Sequence, residues 1–178
     1  DQSHMMILLV YVDDIILTGS SQAHLHSFIN QLGAEFDIRD LGRLNYFLGI
    51  AVTYHSDSIH LTYTKYALNI LKRHNMLDCK PVSTPMASKG RFSRTHGTPL
   101  TYSTFYRQLV GALQYLTMTR PDISYVVQHV SQFIGSPTDA HLEAAKRILH
   151  YLKGTPGHCI PIRCSTNSSF LVAFSYAD

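Results

Sequence analysis

Residues 6–19 read Met-Ile-Leu-Leu-Val-Tyr-Val-Asp-Asp-Ile-Ile-Leu-Thr-Gly. Two apolar, β-branched runs, Met6 to Val12 and Ile15 to Thr18, flank an Asp13-Asp14 break, which is the pattern of a β-hairpin. The break lacks the Asn-Gly or Asp-Gly that a tight hairpin favours. Two adjacent carboxylates repel each other, so their pairing relieves nothing structural. It does suit chemistry, because neighbouring hard oxygen ligands can hold Mg²⁺. Taken alone, Tyr11-Val12-Asp13-Asp14 is a short string with one free position, and a surface Asp-Asp turn is its commoner explanation.

Outward from the hairpin, Ser20 or Ser21 can cap a helix reaching about Glu35, with Leu25, Phe28, Ile29 and Leu32 on one face. Phe36 to Gly42 reads as a strand and turn, and Leu44 to Tyr54 and Ser58 to Thr62 read as two strands. Beyond Thr64 the pattern turns helical. A helix is expected from Thr64 to near Met76, and another from Ser103 to Thr117 with Phe105, Leu109, Ala112, Leu113 and Leu116 inward. A third starts at Arg120-Pro121-Asp122 with Ile123, Val126, Val127, Val130 and Phe133 inward. A fourth starts at Ser136-Pro137-Thr138-Asp139, with Leu142, Ala145, Leu149 and Leu152 inward and Gly154 as its stop. Residues 79–101, rich in Pro, Ser, Thr and Gly, form a long loop. Cys159 to Arg163 and Phe170 to Ser175 read as two closing strands. The predicted fold class is α+β: antiparallel hairpins with one helix, then a helical region, then a short terminal β-hairpin.

The 178 residues suffice for a real core, and 15% charged side chains argue against disorder throughout. No apolar run reaches the roughly 18–20 residues that cross a bilayer. Cys79, Cys159 and Cys164 are too few and scattered for a disulfide framework, so reduced thiols of an intracellular protein are expected. His24/His26 and His55/His60 have neither a Cys partner nor helical i,i+4 spacing, which argues against zinc. Charge is unevenly spread. Residues 1–62 hold two basic and seven acidic side chains, whereas residues 63–163 hold thirteen basic and four acidic. A basic half suits a polyanion, although a solvated helical surface would read the same.

Several strings in order then carry a family likeness: LLVYVDDIILTG, FDIRDLGRLNYFLGIAV, TKYALNIL, CKPVSTPM, YRQLVGALQYLTMTRPDISYVV and RILHYLKGT. Together they resemble the reverse transcriptase segment of copia-type (Pseudoviridae) LTR-retrotransposon polyproteins, from about Ile7 to Asp178. The resemblance implies a palm part at 1–62, a thumb/connection-like helical part at 63–157, and the first strands of a ribonuclease H-like domain at 158–178. It makes Asp13 and Asp14 the catalytic metal ligands for Mg²⁺ or Mn²⁺, with Asp13 the better one. It places Phe47, Leu48 and Gly49 in a primer-grip-like hairpin, with Gly49 allowing close backbone approach. The expected partner is an RNA/DNA template–primer duplex. Tyr11 would pack on its end, and Lys65, Lys72, Arg73, Lys146, Arg147 and Lys153 would meet its phosphates. Arg107 and Arg120 could equally pair with a carboxylate such as Asp122.

Departures from the family pattern shape the functional expectation. The fingers and the palm strand bearing another metal aspartate are expected before Met5 and are absent from the sequence. Tyr176 stands where the ribonuclease H strand usually has an aspartate, and Tyr63 and Tyr102 where the family more often has Gln and Asp. The chain is therefore expected to be inactive alone and to serve as a nucleic-acid-binding or protein-interaction module; the alternative is an active polymerase fragment completed by another chain. An uncovered Met6 to Val12 edge would also favour self-association or a partner strand.

Overall fold

A computed structural model of the chain describes residues 5–87, 93 and 96–163. The fold is α+β and divides into two compact units, Asp1–Asn45 and Tyr46–Asp178. The strand expected at Phe170 to Ser175 lies outside the described residues.

In the first unit, β1 (Met6–Tyr11) and β2 (Asp14–Gly19) pair antiparallel from Met6 opposite Gly19 to Tyr11 opposite Asp14. The two-residue loop is therefore Val12-Asp13, not the Asp13-Asp14 expected from the sequence, and Asp14 is the first residue of β2. Val12 has φ +52. A positive φ at the first loop position alone is the type II′ pattern, which normally demands glycine there. Helix α1 (Gln22–Glu35) packs against β2 through the predicted face, with Leu25, Phe28, Ile29 and Leu32 half-buried. Phe36 to Gly42 forms no strand. It ends in a turn in which the Gly42 N–H donates to Asp40 Oδ1 at 2.7 Å. None of the described residues of this unit is fully buried, and the hairpin leaves its apolar side chains largely in water.

The second unit starts with β3 (Tyr46–Phe47), β4 (Ile50–Tyr54) and β5 (Ser58–Thr62). The family resemblance places a hairpin at Phe47 to Gly49, whereas the apolar pattern alone predicts a single strand from Leu44 to Tyr54. Leu48 and Gly49, at φ +48 and +85, break it into a type I′ hairpin with Phe47 opposite Ile50. Helices α2 (Thr64–Arg73), α3 (Thr104–Leu116), α4 (Ser124–Ser131) and α5 (Asp139–Gly154) follow, with one 3-10 turn, Pro121–Ile123, before α4. Strand β6 (Ile160–Arg163) then returns to pair with β5, so the sheet order is β3-β4-β5-β6. The first and last described segments of the unit thus share one sheet.

The core lies among the four helices. Ile70, Leu109, Leu113, Ile148 and Leu149 are fully enclosed, each such burial stabilising by about 1.5–3 kcal/mol relative to exposure. One predicted inward residue changes place. Phe105 is exposed on one side and sits edge-on to His74, while the neighbouring Tyr106 is buried, its hydroxyl donating to Val130 O at 2.6 Å. The described part of the 79–101 loop is tied to α5. The Val82 N–H donates to His150 O, and the Asp139 N–H to Thr98 O. Among the described residues no helix is long and apolar enough to cross a membrane.

Candidate active-site hairpin and nucleic-acid interface

The β1–β2 register fixes the carboxylates. Tyr11 and Asp14 are directly opposite, so their side chains leave the same face of the hairpin, and Asp13 sits in the two-residue loop beside them. All three are exposed. A tight two-residue loop holds adjacent carboxylates with little backbone freedom, a suitable mount for a cation. The donor set fits Mg²⁺, which commonly takes one or two carboxylates and completes its shell with water and substrate phosphate. Among the described residues no group of three or more His, Cys, Asp or Glu side chains gathers as a metal cage. Two-ion phosphoryl transfer therefore calls for further oxygen ligands besides Asp13 and Asp14.

In the second unit, the Leu48-Gly49 turn is held from behind. Tyr63, just before α2, and Tyr115 on α3 both donate their hydroxyls to Leu48 O, at 3.3 and 2.9 Å. Tyr66 completes a ring cluster, with Tyr115 at 5.1 Å from both Tyr63 and Tyr66. Gly49 is required twice over: its φ is +85, and a Cβ would come within 3.1 Å of the Tyr63 ring. Burial pushes the Tyr63 phenol well up, and its neighbour Tyr115 adds to this, so it stays a protonated donor. Tyr46 is half exposed, Leu48 is exposed, and Lys65 Nζ lies 5.3 Å from the Tyr46 ring centre. Sequence reasoning missed this cluster; Tyr63 and Tyr66, three apart, were its visible signal.

The basic side chains divide into two kinds. Lys65, Lys72, Arg73 and Lys146 are exposed, and Lys153 is half-exposed in the last turn of α5. Arg147 gives Nη2 to Thr84 Oγ1 at 3.0 Å while its Nε is buried without a partner. Arg120 is structural. Its guanidinium is buried and donates to Asp122 from Nε and Nη2, to Thr155 O from Nη1 and to Thr155 Oγ1 from Nη2 again. Arg107 is exposed on α3. Tyr102 is almost fully exposed ahead of α3.

Residues 1–88 match the family described as reverse transcriptase (RNA-dependent DNA polymerase). The chain is 47% identical over 174 residues to a retrovirus-related Pol polyprotein from transposon RE1 of Arabidopsis thaliana, covering 98% of this chain and 12% of that protein. It is 36% identical over 169 residues to the corresponding polyprotein from transposon TNT 1-94 of Nicotiana tabacum, covering 89% and 13%. An uncharacterized mitochondrial protein of Arabidopsis thaliana is 50% identical over 153 residues, covering 86% of this chain and 63% of that one. No solved structure matches the chain. The chain belongs to the reverse transcriptase segment of copia-type retrotransposon Pol polyproteins. It spans about an eighth of the length of the Pol polyproteins that it matches.

Proposed function

We propose that this segment supplies a reverse transcriptase with its metal-holding hairpin and part of its template–primer clasp. The carrying observation is the placement of Asp13 and Asp14 at and beside an exposed two-residue loop, with Tyr11 opposite Asp14. When bound there, Mg²⁺ or Mn²⁺ would polarise phosphoryl oxygens and stabilise the charge that develops on the leaving group. Asp13 and Asp14 would hold the cation, and Tyr11 would pack on the nucleic-acid end beside them. The Phe47-Leu48-Gly49 turn meets the primer strand. Lys65, Lys72, Arg73, Lys146, Arg147 and Lys153 neutralise phosphates without reading sequence. In this reading residues 1–62 carry the palm role, 63–157 the thumb and connection role, and 158–178 begin a ribonuclease H-like part.

Two carboxylates are too few for two ions, so the chain on its own binds template–primer without extending it. Primer extension on the isolated chain with Mg²⁺ or Mn²⁺, with Asp13→Asn as control, tests this. Extension abolished by that substitution would overturn this reading, whereas extension that appears only when another chain is added would favour the second one, an active polymerase fragment that the added chain completes. Filter binding of an RNA/DNA template–primer across a salt series tests the clasp, and affinity indifferent to salt would remove it.

A further inference from the structure

Tyr63 and Tyr115 come from different places in the chain yet end on one atom, the carbonyl oxygen of Leu48. A carbonyl has two lone pairs, and here two phenols take both. The acceptor lies at the apex of a hairpin whose two loop residues both hold positive φ. A β3 of only two residues gives such a hairpin little pairing of its own to fix where the apex points. The phenols do that fixing. Tyr63 is enclosed just before α2, and Tyr115 packs tilted against Tyr63 and edge-on against Tyr66, so both hydroxyls are backed by helices. Around the apex, Tyr46, Leu48 and Lys65, a ring, an aliphatic group and a cation, are open to solvent. That combination can stack on a base and pair with a phosphate.

We propose that Tyr63 and Tyr115 are positioning residues that clamp the Leu48 carbonyl and so aim the Tyr46–Leu48–Lys65 face at the terminal nucleotide of the primer strand. The proposal rests on the reading of the Leu48-Gly49 turn as a primer contact. It adds a cause for the turn's position and an assignment for two tyrosines that touch no nucleic acid.

The test uses the full chain and two probes of equal length: an RNA/DNA template–primer with a recessed 3′ end, and a blunt duplex. The primer's last nucleotide carries 2-aminopurine, whose fluorescence reports stacking. Tyr115→Phe and the pair Tyr63→Phe/Tyr115→Phe keep both rings and remove only the hydroxyls. The expected result is a loss of about fivefold in affinity for the recessed duplex per hydroxyl removed, the equivalent of one ordinary hydrogen bond. Blunt-duplex affinity stays unchanged, and the aminopurine signal of the bound recessed probe shifts. Unchanged recessed-end affinity and fluorescence in the double variant would overturn the clamp. So would a parallel fall in affinity for both probes that tracks a lower melting temperature, which marks a structural role only. Failure of the unsubstituted chain to bind the recessed duplex would instead overturn the primer-contact reading beneath it.

Discussion

Arg120 and Asp122 meet through two bonds, Nε to Oδ1 at 2.9 Å and Nη2 to Oδ2 at 2.7 Å, while the same guanidinium reaches the end of α5 at Thr155. Tyr151 and His158 add bonds to Asp122 Oδ2 at 2.9 and 3.3 Å. The group ties the turn before α4 to the C-terminal end of α5. Burial alone would raise the Asp122 carboxyl. The hydrogen bond and charge of Arg120, then Tyr151 and His158, outweigh it and hold the value at about 2. A depressed folded-state value means stability is fully present above the ordinary 3.8 and is lost as pH falls toward 2. Asp122→Asn should cost about 2–3 kcal/mol in urea unfolding at pH 7, less than for a fully enclosed pair because Asp122 keeps some water contact. It should also flatten the stability curve between pH 4 and 2. An unchanged acid limb would show that other carboxylates govern it.

His141 offers a second pH signature, with its origin at the start of α5. Its Nδ1 accepts from the Thr138 N–H at 3.0 Å and its Nε2 donates to Ser93 O at 3.2 Å, so the neutral ring is fully used. The ring is buried and stacks on Phe133 at 3.9 Å. Burial lowers its pKa most. The Ser93 carbonyl pulls the other way, and His96 and His129 add to the lowering. A proton on Nδ1 would face the Thr138 N–H. The sign follows: the unfolded chain takes up the proton first, so stability is complete above about pH 6.5 and declines as pH falls below it. His141→Gln keeps a side chain able to accept at the third helical position but cannot titrate. It should reduce the loss of melting temperature between pH 7.5 and pH 5. His74, lowered by burial and then by Arg73, supplies the part that remains.

Val12 carries its φ of +52 with a β-branched side chain, a conformation that costs roughly 1–3 kcal/mol outside glycine. Val12→Gly removes that strain and adds about 0.5–1 kcal/mol of unfolded-state entropy. The net expectation is a hairpin stabilised by about 1 kcal/mol, read as slower hydrogen exchange at the β1–β2 amides. Val12→Ile keeps the strain and should leave exchange as it is. Faster exchange in the glycine variant would mean that the loop tolerates valine without cost.

Helical faces were legible because their spacing is local. Leu25, Phe28, Ile29 and Leu32 on α1, and Ala145, Leu149 and Leu152 on α5, turn inward as their period requires. The Asp13-Asp14 pair pointed to a hairpin but not to its register. Nothing in the local sequence favours a valine at positive φ, so the loop was placed one residue late. The break at Leu48-Gly49 came from the family resemblance and not from the apolar pattern, for a related reason: leucine is an unusual choice for φ +48, and two distant tyrosines help to hold it there. Residues 79–101 read as a loop because their partners, such as His150 for Lys80 at 2.7 Å, lie about seventy residues away. Periodicity carries no information about contacts of that separation.

The basic surface makes a prediction that separates phosphate contacts from structural cations. Lys146 is exposed on α5 and Lys153 closes its last turn, where a cation also suits the helix dipole. Each phosphate that a lysine neutralises should steepen the dependence of log affinity on log salt by about 0.9. Lys146→Ala should therefore weaken binding of an RNA/DNA template–primer alike for unrelated sequences, and reduce that slope by about one. Its melting temperature should hardly change, since surface substitutions stay within about 0.5 kcal/mol. Lys153→Ala should show the same slope change with a small added loss of stability from the helix end. Arg120→Met should behave in the opposite way. It removes a buried partner of Asp122 and Thr155, so it should lower the melting temperature markedly and leave the salt slope of the remaining folded protein intact. Equal slopes for the Lys146 variant and the parent would take that residue out of the interface.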